Sequence, residues 1–256
     1  MILKLLNPQT MEAFGIEREV YNFALSDYPR ISAAELKNAV AFIRYEKSYG
    51  RKTEIICEDR ETLAVVTDAS SNLDITEMPA EEFVYHATDI AAAKKILSEG
   101  KLLSAVKVYG KTGDELSYEK RNSPWNDPAD FFEYIMFCGG DQMTGDYVVL
   151  SDNMLSGDDL EKGNFNAGVR FYFRYSDIIR HPDHTFDGYH PVKVKDEIVL
   201  SDYLYACIVP EQYKIELNSS ILPELVSKVL FLSQTAISLY NWNEKVCDSI
   251  RKLQLA

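Results

Sequence analysis

The feature that most constrains this chain is the run Glu82-Phe83-Val84-Tyr85-His86-Ala87-Thr88-Asp89-Ile90 and the segment that follows it to Gly100. Apolar and β-favouring residues predict a buried strand here, and that strand delivers His86 and Thr88 to its end. A helix follows at once, because Thr88 or Asp89 supplies an N-cap and Ile90, Ala93, Ile96 and Leu97 recur at helical spacing. Gly100 stands where a left-handed cap is easily made, and apolar Leu102-Leu103 resumes beyond it. Strand, polar elbow, short helix and stop in immediate succession is the layout of a ligand site at a strand end.

With 256 residues the chain can bury a core without disulfide staples. The formal net charge of −13 repels a phosphate backbone, so a nucleic-acid acceptor would need a local basic patch working against the global field. Lys107 to Lys111 with Lys120-Arg121, and Lys193 with Lys195, are interleaved with acids and read as solvated faces. Cys57, Cys138, Cys207 and Cys247 form no Cys-x-x-Cys pair and read as reduced, packed thiols. No apolar run approaches the roughly 18 residues of a membrane span, so the expected location is cytoplasmic, with no membrane partner.

Residues 1–78 form a separate compositional block, expected to be a small α/β accessory domain of open function; residues 79–256 would form the main domain. In the first block, Ser32 with Glu35 three residues on is a capping-box pattern opening a helix whose apolar face is Leu36, Ala39, Val40 and Ile43. Two strand-like runs follow, Lys52 to Cys57 and Thr62 to Thr67, joined by a charged turn. In the main domain, Ala129 to Cys138 fits a buried strand or a short helix, and Tyr147 to Leu150 reads as an interior strand. Val169 to Tyr175 alternates, so Arg170, Tyr172 and Arg174 share one face of a half-exposed strand.

Further on, His181, His184 and His190 have a spacing that could collect a divalent metal, but Pro182 and Gly188 make the segment a turn, and no metal is expected. Pro191 to Leu200 and Tyr203 to Pro210 read as two strands with a short turn between them, and Glu197 begins the otherwise apolar part of the first. A carboxylate in that position is expected at a pocket edge. The tail from Leu222 is helical in pattern, with Leu225, Val229, Leu232, Ala236, Leu239 and Tyr240 near one stripe covering the sheet.

The Tyr85-His86-x-Thr88 elbow, its helix and Gly100 resemble the opening motif of the ADP-ribosyltransferase superfamily. The resemblance returns at Glu197-Ile198-Val199-Leu200 and Ile208-Val209-Pro210, similar to the late strands that carry the family's catalytic glutamate. It spans roughly residues 82 to 212 and implies an α+β domain with a mixed, split β-sheet core and flanking helices. By the same resemblance NAD is the substrate, Glu197 the catalytic carboxylate, and His86 and Thr88 hold the dinucleotide. Arg121 resembles the arginine that a toxin-like branch modifying nucleic acids places after its His-x-Thr strand, and Tyr172 is the candidate for stacking on nicotinamide. Position 195 is Lys195, where arginine-modifying members carry Glu or Gln, which leaves the acceptor, protein or nucleic acid, open. NAD hydrolysis and tRNA 2′-phosphate transfer would use a similar pocket. From a different class, a non-catalytic NAD-binding or protein-interaction module could keep the same fold.

Overall fold

Alternation of apolar and polar residues builds the first sheet. In β1 (Ile2–Leu6) Leu3 and Leu5 point inward, and in β3 (Val20–Ala24) Tyr21 and Phe23 do the same, while β2 (Gly15–Glu17) pairs antiparallel with β3. β1 lies parallel to β3 and to β4 (Glu54–Ile56), giving the order β2-β3-β1-β4. β3 and β4 run the same way on either side of β1, so the chain must cross over between them, and α1 (Ala33–Ser48) supplies that connection. As its sequence predicts, α1 opens on a capping box: Ser32 Oγ accepts from Glu35 N, and Glu35 accepts from Ser32 N at 2.8 Å. Glu35 also accepts from Ser26 N at 2.7 Å, and these backbone donors outweigh burial to pull its carboxyl below the usual range. The buried residues are shifted from the predicted face and comprise Ala39, Val40, Ala41, Phe42, Tyr45 and Glu46, with Leu36 and Ile43 half-buried.

The computed structural model describes residues 1–11, 15–17, 19–75, 81–120, 127–151 and 155–254. The chain divides into two units. The first contains Met1–Ala80, and also Ser104–Tyr134 and Thr185–Asp196, so two later segments complete the block expected over residues 1–78. The second contains Glu81–Leu103, Ile135–His184 and Glu197–Ala256.

In the first unit, the predicted strand at 62–67 is instead part of helix α2 (Arg60–Asn72). Asp59, read from sequence as part of a turn, is its N-cap and accepts from Thr62 N at 2.7 Å; Thr62, Val66 and Ala69 then bury one helical stripe. A helix cap thus overrides the β preference of Thr62, Val65 and Val66. The loop around Gly188 lies against α1. Gly188 has φ +72°, and a Cβ there would come within 2.0 Å of Asn38 O, so only glycine fits.

In the second unit, β5 (Phe83–Thr88) leads through α3 (Ile90–Glu99) to β6 (Lys101–Leu103). Asp89 is the cap, accepting from Ala92 N at 2.8 Å, and Gly100 ends the helix at φ +68°. Then come β7 (Cys138–Gly139), α4 (Thr144–Leu150), β8 (Val169–Arg174), β9 (Glu197–Val199), β10 (Leu204–Pro210), β11 (Val229–Leu232) and α5 (Leu239–Gln254). Five strands form one sheet in the order β11-β10-β8-β5-β7, with β10–β11 parallel, while β9 and β6 form a separate antiparallel pair. The architecture is therefore mixed α and β with several sheets.

Four sequence expectations change here. Tyr147 to Leu150 is helical within α4, capped by the backbone rather than paired as a strand. Val229 to Leu232 leaves the predicted tail helix to become the edge strand β11, because pairing with β10 satisfies its backbone; the helix proper begins at Leu239. β8 is central and buried from Val169 to Phe173, not half-exposed. Finally, Asp196 adopts φ +66°, which splits the strand expected over 191–200 immediately before Glu197. One face of the five-stranded sheet is covered by α5 through Leu239, Trp242, Val246 and Ile250. Each such side chain contributes about 1.5–3 kcal/mol on burial, more than the ~1 kcal/mol of a cap, so packing holds this helix.

Candidate functional site

Strand register decides which candidate residues share a face. Tyr85 lies opposite Tyr172, and His86 lies opposite Phe171, in the β5–β8 ladder. Directly opposed residues point the same way and neighbours along a strand point opposite ways. His86 and Thr88 therefore stand on one face with Phe171 and Phe173, while Tyr172 and Arg170 stand on the other, the α5 face.

His86 is half-buried near the end of β5. Its Nδ1 donates to the Met136 carbonyl at 3.0 Å, and its ring meets Phe137 edge-on at 6.5 Å. Burial lowers its pKa, against the opposing effect of the Met136 carbonyl, so at neutral pH the ring is neutral. A carbonyl can only accept, so the proton sits on Nδ1 and Nε2 is left as an acceptor; this tautomer is assigned from the hydrogen bond. Thr88, also half-buried, closes the strand opposite Val169, beside Gly168, where a Cβ would come within 2.6 Å of Thr88 O.

Glu197 opens β9, at the start of a strand as the sequence predicts. Its register partner is Leu103, while Val199 pairs with Lys101, so Glu197 and Lys101 share the outward face as Ile198 and Leu102 fill the inward one. Lys101 Nζ donates to both carboxylate oxygens of Glu197 at 3.3 Å. Both side chains are accessible, at 43% and 50% exposure. Sequence reasoning missed Lys101, although its place immediately after the helix-ending glycine was readable.

Tyr172 does not present a stacking surface for nicotinamide, the role expected of it. It is 1% exposed, stacks on Tyr85 at 5.4 Å, and donates its hydroxyl to the Gly140 carbonyl at 3.1 Å. Arg170 beside it is wholly buried rather than solvated. Its Nε and Nη2 donate to Asp146 Oδ1 and Oδ2 at 3.0 and 2.5 Å, and its Nη1 donates to Tyr172 Oη and to Asn243 Oδ1 at 3.0 and 2.8 Å. Burial alone would lower the guanidinium pKa; the Asp146 carboxylate reverses this and keeps it cationic. Tyr85 Oη completes the group, donating to the Gln142 carbonyl at 2.9 Å. The network anchors α4 and α5 to the sheet, and its cation is committed internally.

The first unit has a second buried ionic group. Asp187 accepts from His190 N and Nδ1 at 2.7 and 2.8 Å, and Lys193 Nζ lies 2.9 Å from its Oδ2. The same ammonium sits over the rings of Tyr45, Phe131 and Tyr134 at 3.9, 4.0 and 4.6 Å, so aromatic faces share its charge with the carboxylate. Burial alone would raise the Asp187 carboxyl, but His190 and Lys193 pull it well below its ordinary value. Nearby, Asp130 accepts from Arg51 at 2.6 Å and from the Tyr45 hydroxyl. These groups bind three chain segments into one unit.

Among the described residues no group of three or more His, Cys, Asp or Glu side chains is arranged to hold a metal ion. His184 Nδ1 donates to the His181 carbonyl at 2.7 Å, and His190 is engaged by Asp187. The four cysteines are free thiols, Cys207 and Cys247 being buried. No described helix is long and apolar enough to cross a membrane. Arg121 lies outside the described residues. Comparisons with protein-family models, curated proteins and solved structures find no match to this chain.

Proposed function

We propose that this protein is an NAD-consuming ADP-ribosyltransferase that moves ADP-ribose from NAD to a macromolecular acceptor. The observation that carries the reading is the connection from β5 to β9. The strand ending in His86-Ala87-Thr88 passes through a single capped helix into β6, and β6 pairs with the strand that Glu197 opens. The Leu200 amide also donates to the Gly100 carbonyl at 2.8 Å, tying the end of the Glu197 strand to the end of that helix. A five-stranded sheet bearing the histidine and a separate strand pair bearing the glutamate agree with a split-sheet core.

The chemistry follows from the substrate. Cleavage breaks the bond between the anomeric carbon of the ribose and the nicotinamide nitrogen; the bonding pair leaves with nicotinamide, which departs neutral. The sugar passes through an oxocarbenium-like state, which an oxygen of the acceptor or of water captures, releasing its proton. An exposed carboxylate such as Glu197 stabilises the cation and can accept from the ribose 2′-hydroxyl. Neutral His86, with Nε2 free to accept, suits a ribose hydroxyl on the adenosine side, and Thr88 at the elbow offers a hydroxyl to the nicotinamide end. Tyr172 is left out of the site, since it lies on the other face of the sheet.

Incubation of the purified protein with NAD labelled in its ADP-ribose half, with and without cell extract, tests this. Release of nicotinamide together with label in protein or nucleic acid is the expected result. Binding of NAD without release under either condition would instead favour a non-catalytic binding module.

A further inference from the structure

We propose that Lys101 is a displaceable counter-ion of Glu197, a positioning residue whose ammonium occupies the carboxylate until the cationic nicotinamide-ribosyl end of the substrate takes its place. The inference rests on the ADP-ribosyltransferase reading and adds a residue to it. Lys101 is fixed at the first position of β6 by the left-handed Gly100, and antiparallel register puts it diagonally across from Glu197 on the outward face. Its Nζ contacts both carboxylate oxygens equally, at 3.3 Å, so it spans the carboxylate rather than one oxygen of it.

Two features make this contact exchangeable. Both partners are close to half exposed, and an ion pair of that kind is weak and screened by salt. By contrast, the buried Arg170–Asp146 and Lys193–Asp187 pairs are sealed by further partners. The oxidised nicotinamide ring is itself a cation, so it and the ribosyl cation that develops from it compete with Lys101 for one carboxylate. While the lysine stays in place it cancels the field that the developing ribosyl cation requires; once displaced, it leaves Glu197 held within the strand pair and fully available.

The test measures affinity for carba-NAD, an NAD analogue whose ribose ring oxygen is replaced by carbon so that it is not cleaved, alongside KM and kcat for nicotinamide release from NAD. Lys101→Met should bind carba-NAD about two- to fivefold more tightly at low salt, the scale of an exposed ion pair. KM should fall correspondingly, and the advantage should vanish near 0.5 M salt. Lys101→Arg should behave as wild type. In a Glu197→Gln background Lys101→Met should have no effect. Unchanged or weaker binding by Lys101→Met, or the same tightening in the Glu197→Gln background, overturns the counter-ion role. If wild type binds and cleaves NAD but Lys101→Met leaves affinity unchanged, that role alone fails; if wild type neither binds carba-NAD nor releases nicotinamide, the functional reading fails and takes this role with it.

Discussion

Replacing Arg170 with Met strips the Asp146 carboxylate of the guanidinium paired with it while leaving it wholly buried. Arg170 makes two hydrogen bonds to that carboxylate and one each to Tyr172 and Asn243, with no solvent access to any of the charged atoms. Hydrogen bonds to a charged group contribute about 1.5–3 kcal/mol each, but they act as one unit and do not add. The appropriate scale is that of breaking a buried ion pair, about 3–5 kcal/mol, mostly from the uncompensated carboxylate. Replacing both partners, as Asp146→Leu with Arg170→Met, removes that penalty and should cost clearly less than the single change. Trp242 packs in the same core, so in a Trp125→Phe background its fluorescence during urea unfolding reports on this unit. A single-mutant loss below about 1 kcal/mol, with no coupling to Asp146, would refute the assignment of Arg170 to a structural role and reopen it as a ligand contact.

Asp187→Asn should destabilise the first unit by about 3–5 kcal/mol, since it leaves the Lys193 ammonium buried among aromatic rings without its carboxylate; chemical denaturation followed by tyrosine fluorescence measures this. His86 has a folded-state pKa below its ordinary value, so between that lowered pKa and about 6.5 the unfolded chain binds more protons and stability rises with pH across that window. On the proposed function, affinity for NAD is flat above that window and falls as His86 protonates and Nε2 ceases to accept, whereas His86→Asn should bind weakly with no such dependence; titrations from pH 5 to 8 distinguish the two.

What the sequence made legible was local. The capping box at Ser32 and Glu35, and the succession of β5, Asp89, α3 and Gly100, are determined within one or two turns of chain, and the structure contains them as read. One failure was local, the Asp59 cap that made 62–67 helical, and the others arose where distant partners decide. Val229 to Leu232 carries the apolar spacing of a helix but becomes a strand because β10 offers its backbone a partner. Arg170 and Tyr172 were correctly put on one face of β8, yet nothing in the alternation announces that Asp146, presented by α4, neutralises the cation and closes that face. Lys193 looked like one cation in a solvated run, and only the meeting of Tyr45, Phe131 and Asp187 from separated segments buries it. Of the candidate site, the elbow with His86 and Thr88 and the strand start at Glu197 could be read in advance; the opposed orientation of Tyr172 and the pairing with Lys101 required the register of the ladders.

The central claim is tested most directly by comparing nicotinamide release from NAD by the wild-type protein and by Glu197→Gln, with circular dichroism confirming that the variant is folded. Glu197 lies on an outward face with about half its side chain exposed, so the amide fits without repacking the core and should leave stability within about 0.5 kcal/mol. The account predicts release by the wild type and a loss of at least about a hundredfold in the variant, the scale on which a single group stabilising transition-state charge acts. Equal release by both proteins would contradict the assignment of Glu197, and no release by either would contradict the enzyme.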